Sequence, residues 1–98
     1  MLFLLIMFDV NVEEGVYKFS GEIDIYDLED FHQILTELFP KEKIILDFGD
    51  VRSMDTAALQ LLISFKKSLP KERKFKIAHF HPALEKMLTI SGLSRYLN

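Results

Sequence analysis

No cysteine occurs in the chain. Its absence excludes disulfides, thiolate zinc sites and a cysteine nucleophile, and it suits a reducing cytoplasm. The short patterns of common active sites are missing too: there is no G-x-S-x-G elbow, no P-loop and no G-x-G-x-x-G phosphate cradle. The sequence therefore gives no support to an enzyme and calls for no cofactor. Bases are scarce in the first part, where Lys18 is the one lysine or arginine up to Pro40. The net charge of −3 argues for neither a nucleic acid nor a membrane surface. The apolar run MLFLLIMF has no positive residue before it and no small-residue cleavage site after it, and it is too short to span a bilayer. It reads as a strand, buried or paired on both faces.

With 98 residues and 49% hydrophobic content, the sequence predicts one domain over residues 1–98 with a single core and no internal linker. Lys66, Lys67, Lys71, Arg73, Lys74 and Lys76 crowd together. Of the aromatic residues only Phe75 falls among them, so they read as a solvated turn complementing a helix C-terminus, with no nucleic-acid site.

Leu2 to Val10 reads as the first strand, Asn11 to Gly15 as a tight connection and Val16 to Ser20 as the second strand of a hairpin. Tyr26 to Phe39 is amphipathic: Leu28, Phe31, Leu35 and Leu38 recur at helical spacing, with acidic residues in the first turn and Pro40 beyond the last. Lys43 to Phe48 and Phe75 to Phe80 read as further strands, and Thr56 to Ser68 as a helix whose first half is apolar almost all round. That helix is either buried between neighbours or turned in part to a partner. Pro82 suits the first turn of a third helix that Gly92 ends, and Leu93 to Asn98 forms a terminal turn packing Leu93, Tyr96 and Leu97. The order ββαβαβα predicts an α/β fold with a four-stranded, mixed, mostly parallel sheet.

Sites in such sheets gather at the carboxyl ends of the strands, where Asp24, Asp55 with Thr56, and His79 to His81 fall. The stretch Ile44 to Phe65 passes from an apolar strand through a turn carrying Gly49, Asp50 and Ser53 into a helix, and free amides at that helix start offer a donor-rich rim. Asp55 reads as the N-cap. The hydroxyl of Thr56 reads as bonding locally at the helix start, with phosphorylation as the alternative. His79 and His81 make an H-x-H pair without a third ligand, so no metal site is expected. No spacing pairs any two of Asp24, Asp47, Asp50 and Asp55 for acid and base work, and His32 reads as a solvent-facing helix residue.

Ile44-Ile45-Leu46-Asp47-Phe48, then Val51-Arg52-Ser53-Met54, then Asp55-Thr56-Ala57-Ala58-Leu59 resembles the signature of the STAS domain family, an apolar strand ending in aspartate followed by D-S-S-G-L and an apolar helix. Gly21-Glu22-Ile23-Asp24 is similar to the family's G-E-L-D, and Leu88-Thr89-Ile90-Ser91-Gly92-Leu93 to its L-x-x-S-G-L. The resemblance covers nearly the whole chain. It implies a bacterial anti-sigma factor antagonist that regulates transcription by binding an anti-sigma protein kinase. In the family, that kinase phosphorylates the second serine of D-S-S-G and so switches binding off.

Residue by residue, the resemblance puts Asp55 at the motif aspartate, Thr56 at the first serine, Ala57 at the phosphoacceptor and Ala58 at the glycine. Alanine accepts no phosphate, which leaves Thr56 and Ser53 as candidate phosphoacceptors. The implied binding rim comprises Asp24, Ser53, Asp55, Thr56, Ala57 and Ala58. D-T-A also resembles STAS domains that serve as docking subunits of transporter or chemotaxis complexes without phosphorylation control. A nucleotide-binding sensor using the amide rim is a third reading. The apolar N-terminal strand further suggests a homodimer formed through its edge.

Overall fold

The apolar residues recur every second position in the strands and every third or fourth in the helices, and a computed structural model, which describes residues 8–97, shows what these periods build. The strands are β1 (Phe8–Glu13), β2 (Val16–Ile23), β3 (Lys43–Met54) and β4 (Lys74–Phe80), and the helices are α1 (Leu28–Leu38), α2 (Thr56–Ser68) and α3 (Pro82–Ser91). Single 3-10 turns cover Ile25–Asp27 and Ser94–Tyr96. The strands lie side by side in chain order, β1 antiparallel to β2, then β2, β3 and β4 parallel. This is the mixed, mostly parallel α/β sheet that the sequence predicts.

β2 continues past its expected end at Ser20 to Ile23, and two further strand boundaries differ from expectation. The hairpin connection is Glu14 and Gly15 alone, because Glu13 pairs with Val16 and Asn11 with Lys18. Both loop residues have positive φ, 51° and 79°, the geometry whose twist matches that of the flanking strands. Asn11 and Glu13 are thus the solvent row of an edge hairpin, with Glu13 in an ion pair with Lys18 at 2.8 Å. Residues 2–7 of the expected first strand lie outside the described residues.

The second difference is β3, which continues to Met54 through the expected turn at Gly49 to Ser53. Its burial shows how: Ile44, Leu46 and Phe48 alternate inward, after which Val51 and Met54 follow at intervals of three. Against β2, the pairing steps from Lys18 opposite Asp47 to Ser20 opposite Asp50, and from Gly21 opposite Val51 to Glu22 opposite Ser53. Each step inserts one extra residue into β3, a bulge that returns the next apolar side chain to the core. At the first bulge the Asp47 carboxylate accepts a hydrogen bond from the Gly49 amide at 2.8 Å.

The sheet and the helices share one hydrophobic cluster. Its centre is aromatic: Phe48 stacks on Phe19 with ring centroids 4.9 Å apart and on Phe80 at 6.2 Å, and Phe31 of α1 meets Phe19 edge-on at 5.7 Å. In α2, Ala58, Leu59, Leu62, Ile63 and Phe65 are buried, so the near-continuous apolar surface of this helix serves mainly the core. The basic run includes one structural residue, since the Arg73 guanidinium donates to the carbonyls of Phe39 and Lys41 just past the end of α1. Those carbonyls have no partner within the helix, and the cation also suits the dipole.

Candidate functional site

The site begins where two parallel strands end level with each other. Ile23, the last residue of β2, pairs with Met54, the last of β3. One further bond extends the ladder, from the Asp55 amide to the Ile23 carbonyl at 2.8 Å. Asp55 then turns the chain into α2 as its N-cap: the backbone is extended, a carboxylate oxygen accepts from the Ala57 amide at 2.8 Å, and the carbonyl accepts from the Leu59 amide at 3.0 Å. The expected cap is therefore present, built into the sheet.

Around this junction lies a cleft of about 200 Å³ lined by Glu22, Ile23, Asp24, Ser53, Met54 and Asp55. Asp24 and Ser53 are exposed and Asp55 is half-buried. Thr56 follows, exposed at the first helical position, then half-buried Ala57 and fully buried Ala58. The structure thus brings Asp24, Ser53 and Asp55 together, with Thr56 and Ala57 adjacent through the chain. The local bond expected of the Thr56 hydroxyl is not made among the described residues. Ala58 packs inward, where its small side chain lets α2 approach the core.

The character of the rim differs from the donor-rich edge that a helix start suggests. Asp55 already occupies the Ala57 amide, and three carboxylates, from Glu22, Asp24 and Asp55, line the cleft. That charge repels a phosphate-bearing ligand, which weighs against the nucleotide reading. Among the described residues lining the cleft with Ser53 there is no histidine or lysine to activate its hydroxyl as a nucleophile.

The histidines are not part of this site. β4 ends at Phe80 opposite Phe48, six residues short of the end of β3, so the carboxyl ends of the strands are not level. His81 caps α3, its Nδ1 accepting from the Ala83 amide at 3.1 Å. Among the described residues, no group of three or more His, Asp or Glu side chains is placed to hold a metal ion.

Two features of the rim were not read from the sequence. Asp27 is 3% exposed, and its carboxylate accepts from the Asp24 amide at 2.9 Å while its own amide donates to the Asp24 carbonyl at 2.9 Å. This reciprocal pair closes the turn at Ile25–Asp27 and delays α1 to Leu28, two residues later than expected. The D-x-x-D spacing before an apolar helix was the available signal. The turn displays Ile25, 51% exposed, and Tyr26, 92% exposed. Tyr26 falls in the polar row with Asp30, Gln33 and Glu37, so an aromatic side chain on the wrong face was legible as well.

Comparison with known proteins agrees with this geometry. The family model described as STAS domain matches residues 6–98. No match was found among curated protein sequences. An anti-sigma factor antagonist from Mycobacterium paratuberculosis is similar in structure at a TM-score of 0.75 and 22% identity, over 92% of this chain and 80% of that one. The anti-sigma factor antagonist SpoIIAA in its unphosphorylated form gives 0.69 and 21%, over 93% and 85%. The Bacillus cell fate determinant SpoIIAA in its phosphorylated form gives 0.63 and 18%, over 93% and 88%. At these identities the structural likeness speaks for the fold, and the match of the family model to nearly the whole sequence decides membership: this chain belongs to the STAS domain family.

Proposed function

We propose that the chain, as one STAS domain over residues 1–98, is a bacterial, cytoplasmic anti-sigma factor antagonist. It binds a kinase-like anti-sigma factor and so regulates sigma-dependent transcription by protein contact, without catalysis, nucleic-acid binding or membrane insertion. The carrying observation is the convergence of Asp24, Ser53 and Asp55 on one cleft beside Thr56, in the stretch whose sequence resembles the family's switch motif. Among the described residues, no helix is long and apolar enough to cross a membrane. The test is calorimetric titration of the chain with a purified kinase-like anti-sigma factor from the same organism. Binding supports the proposal, and its absence refutes it.

Phosphate control, where it operates, uses Thr56 or Ser53. Both are exposed, and a phosphate on either adds nearly two negative charges to a rim that already holds three carboxylates. Ala57 favours the second reading, a docking subunit of a transporter or chemotaxis assembly that is never phosphorylated. Mass spectrometry after incubation with ATP and the kinase separates the two, since phosphate on Thr56 or Ser53 excludes the second. A homodimer through the β1 edge also belongs to this proposal, supported by β1 standing at the margin of the sheet, with β2 its one neighbour among the described residues. Light scattering that finds only monomer at high concentration excludes the dimer.

A further inference from the structure

The exposed pair Ile25 and Tyr26 has no structural task. Tyr26 is 92% exposed and Ile25 51%, while the core is complete without them. They are nonetheless held in place. The turn that carries them is closed by the reciprocal Asp24–Asp27 bonds, with the Asp27 side chain buried. An aromatic residue beside an aliphatic one, displayed on a hydrogen-bonded turn, has the form of an interface anchor. Such a residue contributes a large contact area and loses little conformational freedom on binding.

The surroundings define what it fits. Residues 22–30, EIDIYDLED, hold five carboxylates and no lysine or arginine. Glu22 and Asp24 flank the pair on the cleft side, and neither makes an ion pair among the described residues. An apolar knob with unpaired anions at its side selects a partner face with an apolar socket edged by lysine or arginine. Apolar contact then supplies affinity, and the charges supply encounter rate and orientation.

We infer that Ile25 and Tyr26 form the apolar anchor by which this domain docks on a basic-rimmed socket of its protein partner, with Glu22 and Asp24 steering the approach. This inference rests on the proposed antagonist function and names the contact that function uses. The anchor also extends the candidate rim beyond the helix start to the end of β2.

The test measures binding kinetics of the full chain with a purified kinase-like anti-sigma factor from the same organism. Tyr26→Ala and Ile25→Ser weaken binding about tenfold or more, mainly through faster dissociation, and Tyr26→Phe retains it. Glu22→Lys and Asp24→Lys slow association, and salt reduces the difference. Because Tyr26 is almost fully exposed, its variants keep the unfolding midpoint of the unaltered chain, which separates lost docking from lost fold. Unchanged affinity in Tyr26→Ala and Ile25→Ser, with binding by the unaltered chain intact, overturns the anchor and leaves the proposed function standing. No binding by the unaltered chain overturns the proposed function and the anchor with it. A Tyr26→Ala variant that turns a dimer into a monomer in light scattering assigns the pair to self-association and overturns the assignment to a partner.

Discussion

The amide of Asp55 donates to the carbonyl of Ile23 at 2.8 Å, so the first residue beyond β3 is fastened to the last residue of β2. The start of α2 is therefore continuous with the sheet, and its position depends on how β2 and β3 arrive at their common end. Gly21 governs that arrival. It has a φ of 93°, and the register shift follows directly after it. A side chain there is strained, and Gly21→Val is expected to cost on the order of 1 kcal/mol or more. Urea unfolding checks it, and an unchanged midpoint would contradict the role given to Gly21.

Asp55→Ala removes the acceptor of the Ala57 amide and should destabilise the domain by about 1 kcal/mol. Asp55→Asn keeps a side-chain oxygen and should lose only part of that. Denaturant titration of the pair distinguishes capping from a general charge effect, because a charge effect would make the two variants alike.

Asp27→Ala leaves the partly buried Asp24 amide without its acceptor, at an expected cost of about 1–3 kcal/mol. Hydrogen exchange offers the more specific readout. Protection of the Asp24 amide should fall in Asp27→Ala and largely survive in Asp27→Asn. Equal protection in all three proteins would show that this bond does not close the turn.

Phe48→Ala opens a cavity at the centre of the ring cluster, between Phe19 and Phe80, and should cost about 3–5 kcal/mol. A loss near 1 kcal/mol, measured by chemical denaturation, would mean that the bulged half of β3 collapses to fill the space.

Much of this architecture was legible in the sequence because its signals are local. The stripe Leu28, Phe31, Leu35 and Leu38, the cap at Asp55, and Pro82 with Gly92 around α3 each specify structure over a few residues. What escaped depends on neighbouring strands. Gly49 to Ser53 has the composition of a turn, and only pairing with β2 and two bulges make it strand. Arg73 looked like one member of a solvated basic run until the fold placed it over the end of α1, thirty-four residues away from Phe39.

The candidate residues Asp24, Ser53, Asp55 and Thr56 follow from the strand ends and from the family resemblance, in which Ala57 stands where the phosphoacceptor is expected. Asp27, Ile25 and Tyr26 were absorbed into the helix pattern. The D-x-x-D spacing and the aromatic residue in the polar row signalled their departure from it, and burial makes it plain, with the acid inside and the aromatic outside.

The central claim is that the edge around Asp55 and Thr56 docks an anti-sigma factor, and negative charge added there is the most direct probe. Thr56→Glu places a carboxylate at the first helical position, where the helix dipole favours it, so the fold is retained. Calorimetric titration against the kinase-like anti-sigma factor should show binding by the unaltered chain and a loss of about tenfold or more in Thr56→Glu. Binding of equal strength by both proteins, or by neither, would contradict the account.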